Sequence, residues 1–543
     1  MKYNAALRRA LIALSLILSA ASFAITPYPA SAAEAVQLPY DDLKNNFATE
    51  AILNMSSLKF ITGTGVRRFE PYKAITRAEF VTMIERLIGI KPVSSAIPTF
   101  TDVPKTTWFY EWVQPAIQLN LAQGTSPALF EPNRSVTRQE AAVILTRALK
   151  QRLESDPSDR DAIYEDQDLI DDWALPSIYR MYDLGLMSGE DGSFRPSDSM
   201  TRQEAAVLMN RTWTHPGWSE QIKAAPQAKI QLGWQYGQTT KQFEQQAVQA
   251  GVNTLSPRWY FIGKKGAFED QSDTSLVAWA HKQGKKVWAM VGNHSDQEMT
   301  HLMLISAVKR QTLIKELTDR VRKYNIDGIN IDFENMMPQD RHSFTAFIAA
   351  LKQELARVPA VLSVNASPDL GTDWTEVFDY AALAKYADYL LLMGYDEHWG
   401  GDPVAGSVSS LPWLKQGIET LLKQVPAEQV ILALPMYTRN WRVYSNGTTQ
   451  SEVLDLPQQN RLVLAKQIKT TWDDQLGQYY AAYKDRSTLN WIWLEDGRSI
   501  ALKVSLGESY SLAGYGYWYL GGASVDIWSS IRNVMRVQAY HFT

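Results

Sequence analysis

Residues 326–334 read Ile-Asp-Gly-Ile-Asn-Ile-Asp-Phe-Glu. Apolar Ile329, Ile331 and Phe333 alternate with polar Asn330, Asp332 and Glu334, the two-residue period of a strand with one apolar and one polar face. Three polar side chains turned into one core are costly unless they serve a purpose. Two of them are acids whose backbones lie roughly 6–7 Å apart along an extended chain. Close acids repel, so the second to ionise keeps its proton to higher pH. A general acid acting on a leaving oxygen needs that property. Asp332 and Glu334 are therefore the candidate catalytic pair, with Asn330 expected to donate to Asp332 and keep it anionic.

Outward from this strand, short apolar runs alternate with helical patterns, which favours a parallel β/α architecture. The candidate strands are 229–235, 254–261, 286–292, 328–334, 360–365, 389–395, 430–437 and 513–519. Eight strands close a (β/α)₈ TIM barrel, whose catalytic groups sit at the C-terminal strand ends. Glu334 is then the last residue of the fourth strand. The stretch at about 440–500 is too long for a simple βα loop and predicts a small α+β insertion after strand seven. The barrel with its insertion is assigned to 229–543.

The region before the barrel repeats itself three times, at about 40–90, 98–150 and 162–213. The clearest element is Thr76-Arg77-Ala78-Glu79, Thr137-Arg138-Gln139-Glu140 and Thr201-Arg202-Gln203-Glu204. Each is preceded by an aromatic–x–Pro turn: Phe69-Glu70-Pro71, Phe130-Glu131-Pro132 and Phe194-Arg195-Pro196. The Thr and Glu form a capping box and predict a mainly helical module. The Arg is not explained that way, because a cation at a helix N-terminus opposes the macrodipole. Arg77, Arg138 and Arg202 are accordingly expected to bind an anion. Repeats two and three also share an opening, Phe100-Thr101-Asp102 with Trp108 and Tyr164-Glu165-Asp166 with Trp173, which repeat one is expected to lack. Residues 214–228 read as a linker.

Lys2, Arg8 and Arg9, an apolar stretch from Ala10 to Ile25 and Ala30-Ser31-Ala32 form an export signal over 1–32. The repeat domain then spans 33–213. The chain has no Cys, so an exported protein of this kind uses no disulfides and fits a Gram-positive-type exterior. No later run predicts a membrane span. A net charge of −4 argues against nucleic acid as the main partner. His398 lies beside acids, but no second His stands at ligand spacing, so no metal and no cofactor is expected.

The run around Asp332 resembles the Asp-Gly-x-Asp-x-Asp-x-Glu signature of glycoside hydrolase family 18, with Asp327, Gly328, Asp332 and Glu334 matching. Asn330 stands where most of the family has Asp, which resembles the branch of spore-cortex and peptidoglycan-lytic N-acetylglucosaminidases. The resemblance covers roughly 229–535. It implies Glu334 as acid and base, Asp332 as orienter of the substrate acetamido group and Tyr395 as holder of its acetyl oxygen. Met393-Gly394-Tyr395-Asp396 resembles the family's Met-x-Tyr-Asp, and Tyr437-Thr438-Arg439 its Tyr-Gly-Arg. Trp518 stands where the family has a Trp beneath the reacting sugar. Asp327, Met393, Asp396, Tyr437, Arg439 and Trp518 are thus the expected substrate-binding residues. The N-terminal repeats resemble the S-layer homology domain, which implies attachment to an anionic secondary cell-wall polymer. The expectation is a secreted, wall-anchored retaining β-N-acetylglucosaminidase acting on a carbohydrate substrate. The alternatives are a chitinase-like enzyme and a non-catalytic glycan-binding protein on the same barrel.

Overall fold

A computed structural model describes residues 39–44, 46–153, 160, 162–263, 267–486 and 488–542. The export signal expected at 1–32 lies outside these residues. No helix among them is long and apolar enough to cross a membrane.

Helices Arg77–Leu87, Arg138–Ala148 and Arg202–Thr214 each start behind a complete capping box, made by Thr76 with Glu79, Thr137 with Glu140 and Thr201 with Glu204. The repeats close on one another as a ring. Ile75 N–H donates to the Met200 carbonyl, Met200 to Val136 and Val136 to Ile75, at 2.9, 3.0 and 3.0 Å. Helix-start amides that would otherwise lack partners are also used in this closure. Arg77 and Ala78 N–H donate to the Arg134 and Pro132 carbonyls, Arg138 and Gln139 to Asp198 and Pro196, and Arg202 and Gln203 to Lys73 and Pro71.

The three arginines expected to bind an anion are already engaged within the repeats. Arg77, Arg138 and Arg202 are only 5%, 7% and 4% exposed. Their Nε groups donate to the carbonyls of Phe130, Phe194 and Phe69 in the next repeat, and their guanidinium groups lie over those same rings at 5.0, 4.9 and 4.7 Å. Each also faces the capping Glu of the next repeat: Arg77 to Glu140 at 2.9 Å, Arg138 to Glu204 and Arg202 to Glu79 at 3.6 Å. The cation at the helix start is thus offset by a neighbour's carboxylate and ties adjacent repeats together. Arg77, the most tightly paired, has the least to spare for any outside ligand.

Repeat one does carry the opening that it seemed to lack. Asp42 accepts from Phe69 and Glu70 N–H, as Asp102 does from Phe130 and Glu131 and Asp166 from Phe194 and Arg195. Tyr40 packs on Phe69 at 5.4 Å, matching Phe100 on Phe130 and Tyr164 on Phe194. Tyr40-Asp41-Asp42 is an aromatic–x–Asp opening like Tyr164-Glu165-Asp166, while the Trp of repeats two and three is absent from repeat one.

Strands β1 (Ile230–Trp234), β2 (Thr254–Ser256), β3 (Arg258–Ile262) and β4 (Phe268–Asp270) are followed by β5 (Lys286–Gly292), β6 (Gly328–Asp332), β7 (Val361–Ala366), β8 (Tyr389–Met393) and β9 (Val430–Pro435). An insertion contributes β10 (Tyr437–Val443), β11 (Thr449–Asp455), β12 (Thr470–Asp473), β13 (Gln478–Asp485) and β14 (Thr488–Leu494), before β15 (Gly514–Trp518) completes the sheet. The barrel closes in parallel through β1–β15–β9–β8–β7–β6–β5, with β2 joining β5 back to β1. Its second strand is split, because Pro257 supplies no N–H to the ladder; β2 and its continuation β3 both pair with β5. Ile329 and Ile331 of β6 face outward into the layer shared with the helices, while Leu232, Trp234, Trp288, Met290, Leu391, Ile431 and Ala433 fill the interior. The insertion is a five-stranded sheet of order β11-β10-β14-β13-β12, which starts one residue after β9.

The stretch read as a linker is packed. Helix Trp218–Lys223 buries Trp218, which stacks on His215 at 3.8 Å and meets Phe542 at 5.3 Å. From the barrel's last helix, Ile527–Gln538, the chain runs into the repeats, where Val537, Tyr540 and Phe542 belong to the repeat core. Asn533 exchanges two hydrogen bonds with the Lys91 backbone, at 2.9 and 2.8 Å, and the Tyr540 hydroxyl donates to the Ile88 carbonyl at 2.6 Å. Repeats and barrel therefore share buried surface.

Candidate active site

A cleft of about 330 Å³ opens at the C-terminal end of the barrel, with Asp332 and Glu334 in its wall. Pairing in β6 ends at Asp332, so Glu334 stands two residues beyond the ladder rather than at its last position. Its backbone is fixed by Asn293, whose side chain accepts from Glu334 N–H at 3.0 Å and donates to the Glu334 carbonyl at 2.7 Å. The Ser295 hydroxyl donates to Glu334 Oε2 at 2.9 Å. His294 and Ser295 both adopt left-handed backbone, φ 52° and 53°, which non-glycine residues rarely do. That turn carries Ser295 to the acid. The Glu334 side chain is otherwise exposed to the cleft.

Asp332 is buried, and its pKa rises from 3.8 to about 7. Burial is the main cause and the nearby Glu334 charge the second; an Asn365 hydrogen bond and the Arg258 charge oppose them. The donor to Asp332 is Asn365, through Nδ2 at 2.8 Å, and not Asn330 as expected. Asn330 is fully buried and acts one step back. Its Nδ2 donates to Asn365 Oδ1 at 2.8 Å and to Ser363 Oγ at 3.1 Å, and its Oδ1 accepts from Trp234 Nε1 at 3.0 Å. An amide here holds Asn365 with its NH₂ toward Asp332.

The proton on Asp332 makes stability depend on pH. Between about pH 4 and 7 the folded protein holds a proton that the unfolded chain releases, so stability falls as pH rises through that window and then levels off. Asp332→Asn removes this contribution. Urea denaturation at pH 4.5 and 8 is expected to show the variant gaining on wild type by on the order of 3 kcal/mol between the two. Asp496 is also raised to about 7, but it titrates in both proteins and cancels. A gap that does not change with pH contradicts the assignment.

The other expected residues divide. Tyr395 is half-buried, its hydroxyl has no hydrogen-bond partner among the described residues, and burial with the Asp332 and Glu334 charges holds its pKa well above the ordinary value. Asp396, Tyr437, Arg439 and Trp518 line the cleft. Tyr437 donates to Asp396 Oδ1 at 2.6 Å, and Arg439 faces the same carboxylate at 3.8 Å. Met393 is half-buried at the end of β8 and does not line the cleft. Asp327 is not brought to the site. It precedes β6, at the opposite end of the barrel, where His281, Lys286 and the Val287 N–H hold it at 2.8, 3.0 and 2.9 Å. Its role there is to fasten the strand entry. Among the described residues, no cluster of three or more His, Cys, Asp or Glu is arranged for a metal.

Several site residues were not singled out from sequence: Arg258, Asn293, Ser295, Asn365 and the ring of Tyr236. Tyr236 packs on Trp518 at 5.6 Å, and Trp518 meets Trp234 beneath it at 5.8 Å. Val453 of β11 brings the insertion to the cleft wall.

With this geometry in view, comparison with known proteins is specific. The profile of glycosyl hydrolases family 18 matches residues 238–523, more than half of the chain, and that of the S-layer homology domain matches 39–81, 99–142 and 163–206. The chain is 28% identical over 321 residues to the uncharacterized glycosylase YvbX of Bacillus subtilis (strain 168), covering 57% of this chain and 92% of that one. It is 25% identical over 300 residues to the cortical fragment-lytic enzyme of the same organism, covering 52% and 69%. In fold it is similar to the chitinase of Chromobacterium violaceum ATCC 12472, with a TM-score of 0.52 at 22% identity over 56% of this chain and 99% of the other.

Proposed function

Because the chain belongs to glycosyl hydrolases family 18 and carries three S-layer homology repeats, we propose that it is a wall-anchored retaining β-N-acetylglucosaminidase. Its substrate is peptidoglycan or a related N-acetylglucosamine-containing glycan. The observation that carries this reading is a cleft-exposed Glu334, its backbone fixed by Asn293 and its carboxylate met by Ser295, beside a buried Asp332 held by Asn365.

With the pair's proton on Glu334 and Asp332 ionised, Glu334 gives that proton to the glycosidic oxygen as the C1–O bond breaks. The electron pair of that bond leaves with the departing sugar. The oxygen of the substrate's own acetamido group attacks C1 from the other face, forming an oxazolinium ring, as in substrate-assisted members of such enzymes. Asp332 accepts from the acetamido N–H and stabilises the positive ring, and Tyr395 donates to the acetyl oxygen. Glu334, now a carboxylate, takes a proton from water, which attacks C1 and restores the acetamide with the starting configuration. A protein nucleophile is not needed, and the remaining acid in the cleft wall, Asp396, is already engaged by Tyr437 and Arg439.

S-layer homology repeats indicate attachment at a cell surface. Wall polymer as the ligand, and export through the signal at 1–32, complete the reading. The similarity to a cortical fragment-lytic enzyme favours peptidoglycan, while a chitinase-like specificity is the second reading, favoured by the shared fold with a chitinase. Mass spectrometry of products from peptidoglycan and from chitin oligomers, run side by side, separates them. Fragments with N-acetylglucosamine at the new reducing end are expected from peptidoglycan. Products from chitin alone favour the second reading, and no product from either overturns both.

A further inference from the structure

Among the described residues lining the cleft, Arg258 is the one charged side chain with neither a hydrogen bond nor an ion pair, and its Nε is buried without an acceptor. The others are engaged: His294 with Glu269, Asp332 with Asn365, Glu334 with Ser295, and Asp396 with Arg439. Arg258 opens β3, directly after the Pro257 break, so the strand end itself holds its backbone in place.

Three rings surround the guanidinium group: Tyr236 at 5.0 Å, Phe261 at 5.3 Å and Trp518 at 5.8 Å. Aromatic rings attract a cation but accept no conventional hydrogen bond from its edge. A buried donor left unmet is costly, and natural proteins keep few of them. An arginine held by rings, with its planar edge unspent and set in a substrate cleft, has the form of a fork awaiting a carboxylate. A neutral polymer of N-acetylglucosamine offers no such group. A muramic-acid-containing strand offers two kinds: the acid of the lactyl ether and the acids of an attached stem peptide.

We infer that Arg258 is a specificity-determining residue that binds a carboxylate borne on muramic acid, and that it makes the cleft selective for peptidoglycan over neutral chitin-type chains. The inference rests on the proposed hydrolase reading and names its substrate class. Arg258 also lies close enough to Asp332 for its charge to favour the ionised acid. A role confined to that effect would alter all substrates alike.

The test uses the full chain as Glu334→Gln, so that binding is read without turnover, and measures affinity by calorimetry. The ligands are an alternating N-acetylglucosamine–N-acetylmuramic acid tetrasaccharide with free lactyl acids, its lactyl carboxamide, its stem-peptide form and chitotetraose. An acid-bearing form is expected to bind roughly tenfold more tightly than the carboxamide, the gain of a charge-assisted hydrogen bond. Preference for the free lactyl acid assigns that group; preference confined to the stem-peptide form assigns the peptide acid. Arg258→Gln is expected to erase the preference and Arg258→Lys, which keeps charge but not the fork, to retain part of it. The Lys variant also guards against misfolding of the Gln variant. Equal binding of every acid form and the carboxamide, or an undiminished preference in Arg258→Gln, overturns the inference. So does a loss of turnover in the otherwise wild-type Arg258→Gln enzyme that is equal on chitotetraose and on the acid tetrasaccharide. Should the wild type cleave none of these, the hydrolase reading fails, while the affinity comparison still decides the role of Arg258.

Discussion

Glu334→Gln protein is expected to fold as wild type and to hydrolyse an unactivated glycan about 10²–10⁴-fold more slowly, the usual worth of a positioned general acid. The side chain is exposed to the cleft and accepts one hydrogen bond within the protein, from Ser295, which an amide oxygen can also accept. The backbone is held independently by Asn293. Circular dichroism should therefore not move, stability should not fall because the Gln also removes the charge that repels Asp332, and the loss should fall on kcat. An aryl glycoside with a good leaving group needs less protonation, so its cleavage should suffer less in the first step. Turnover near wild type on the unactivated glycan would place the acid elsewhere.

The second large effect concerns the substrate. Replacing the 2-acetamido group of the reacting sugar by hydroxyl is expected to lower kcat/KM by about 10⁵-fold or more, because a well-placed intramolecular nucleophile has an effective molarity of that order. Tyr395 and Asp332 would lose their partner at the same time. Paired aryl glucosides and N-acetylglucosaminides, measured under one set of conditions, give the ratio directly. Comparable rates would require a protein carboxylate to attack C1, and Asp396 would have to leave Tyr437 and Arg439 to do so.

The barrel was legible because its eight strands are apolar runs alternating with helical patterns, and because Asp332 and Glu334 lie on one short stretch. What could not be read was pairing across distance. The alternation in 328–334 places Asn330 inside the barrel, but only the register of β6 with β7 shows that Asn365 stands between it and Asp332. A signal was present, since Asn365 is a polar residue near the end of an apolar strand. Arg258 gave a similar one, a lone cation in the run 254–261. The partners of the repeat arginines were hidden for the same reason. Local electrostatics identifies a cation at a helix start as unusual, but its compensating Glu and carbonyls come from another repeat, 63 residues along the chain for Arg77 and Glu140 and 133 for Arg202 and the Phe69 carbonyl. Asp327 belongs to the recognisable motif and still serves the opposite end of the strand, because a strand of this length spans the barrel wall.

The seating of Val537, Tyr540 and Phe542 in the repeat core bears on how such a catalyst would patrol its surroundings. A domain on a loose tether sweeps a volume about its mooring and samples bonds at many distances and angles. Here the mooring and the cutting edge are one piece, with Trp218 and the last helix packed across the joint. Attached through the repeats as proposed, the mouth of the barrel would keep a set height and heading above the surface that holds them. On the proposed wall-anchored reading, fresh bonds would reach the barrel mouth by movement of the surrounding meshwork rather than by movement of the catalyst.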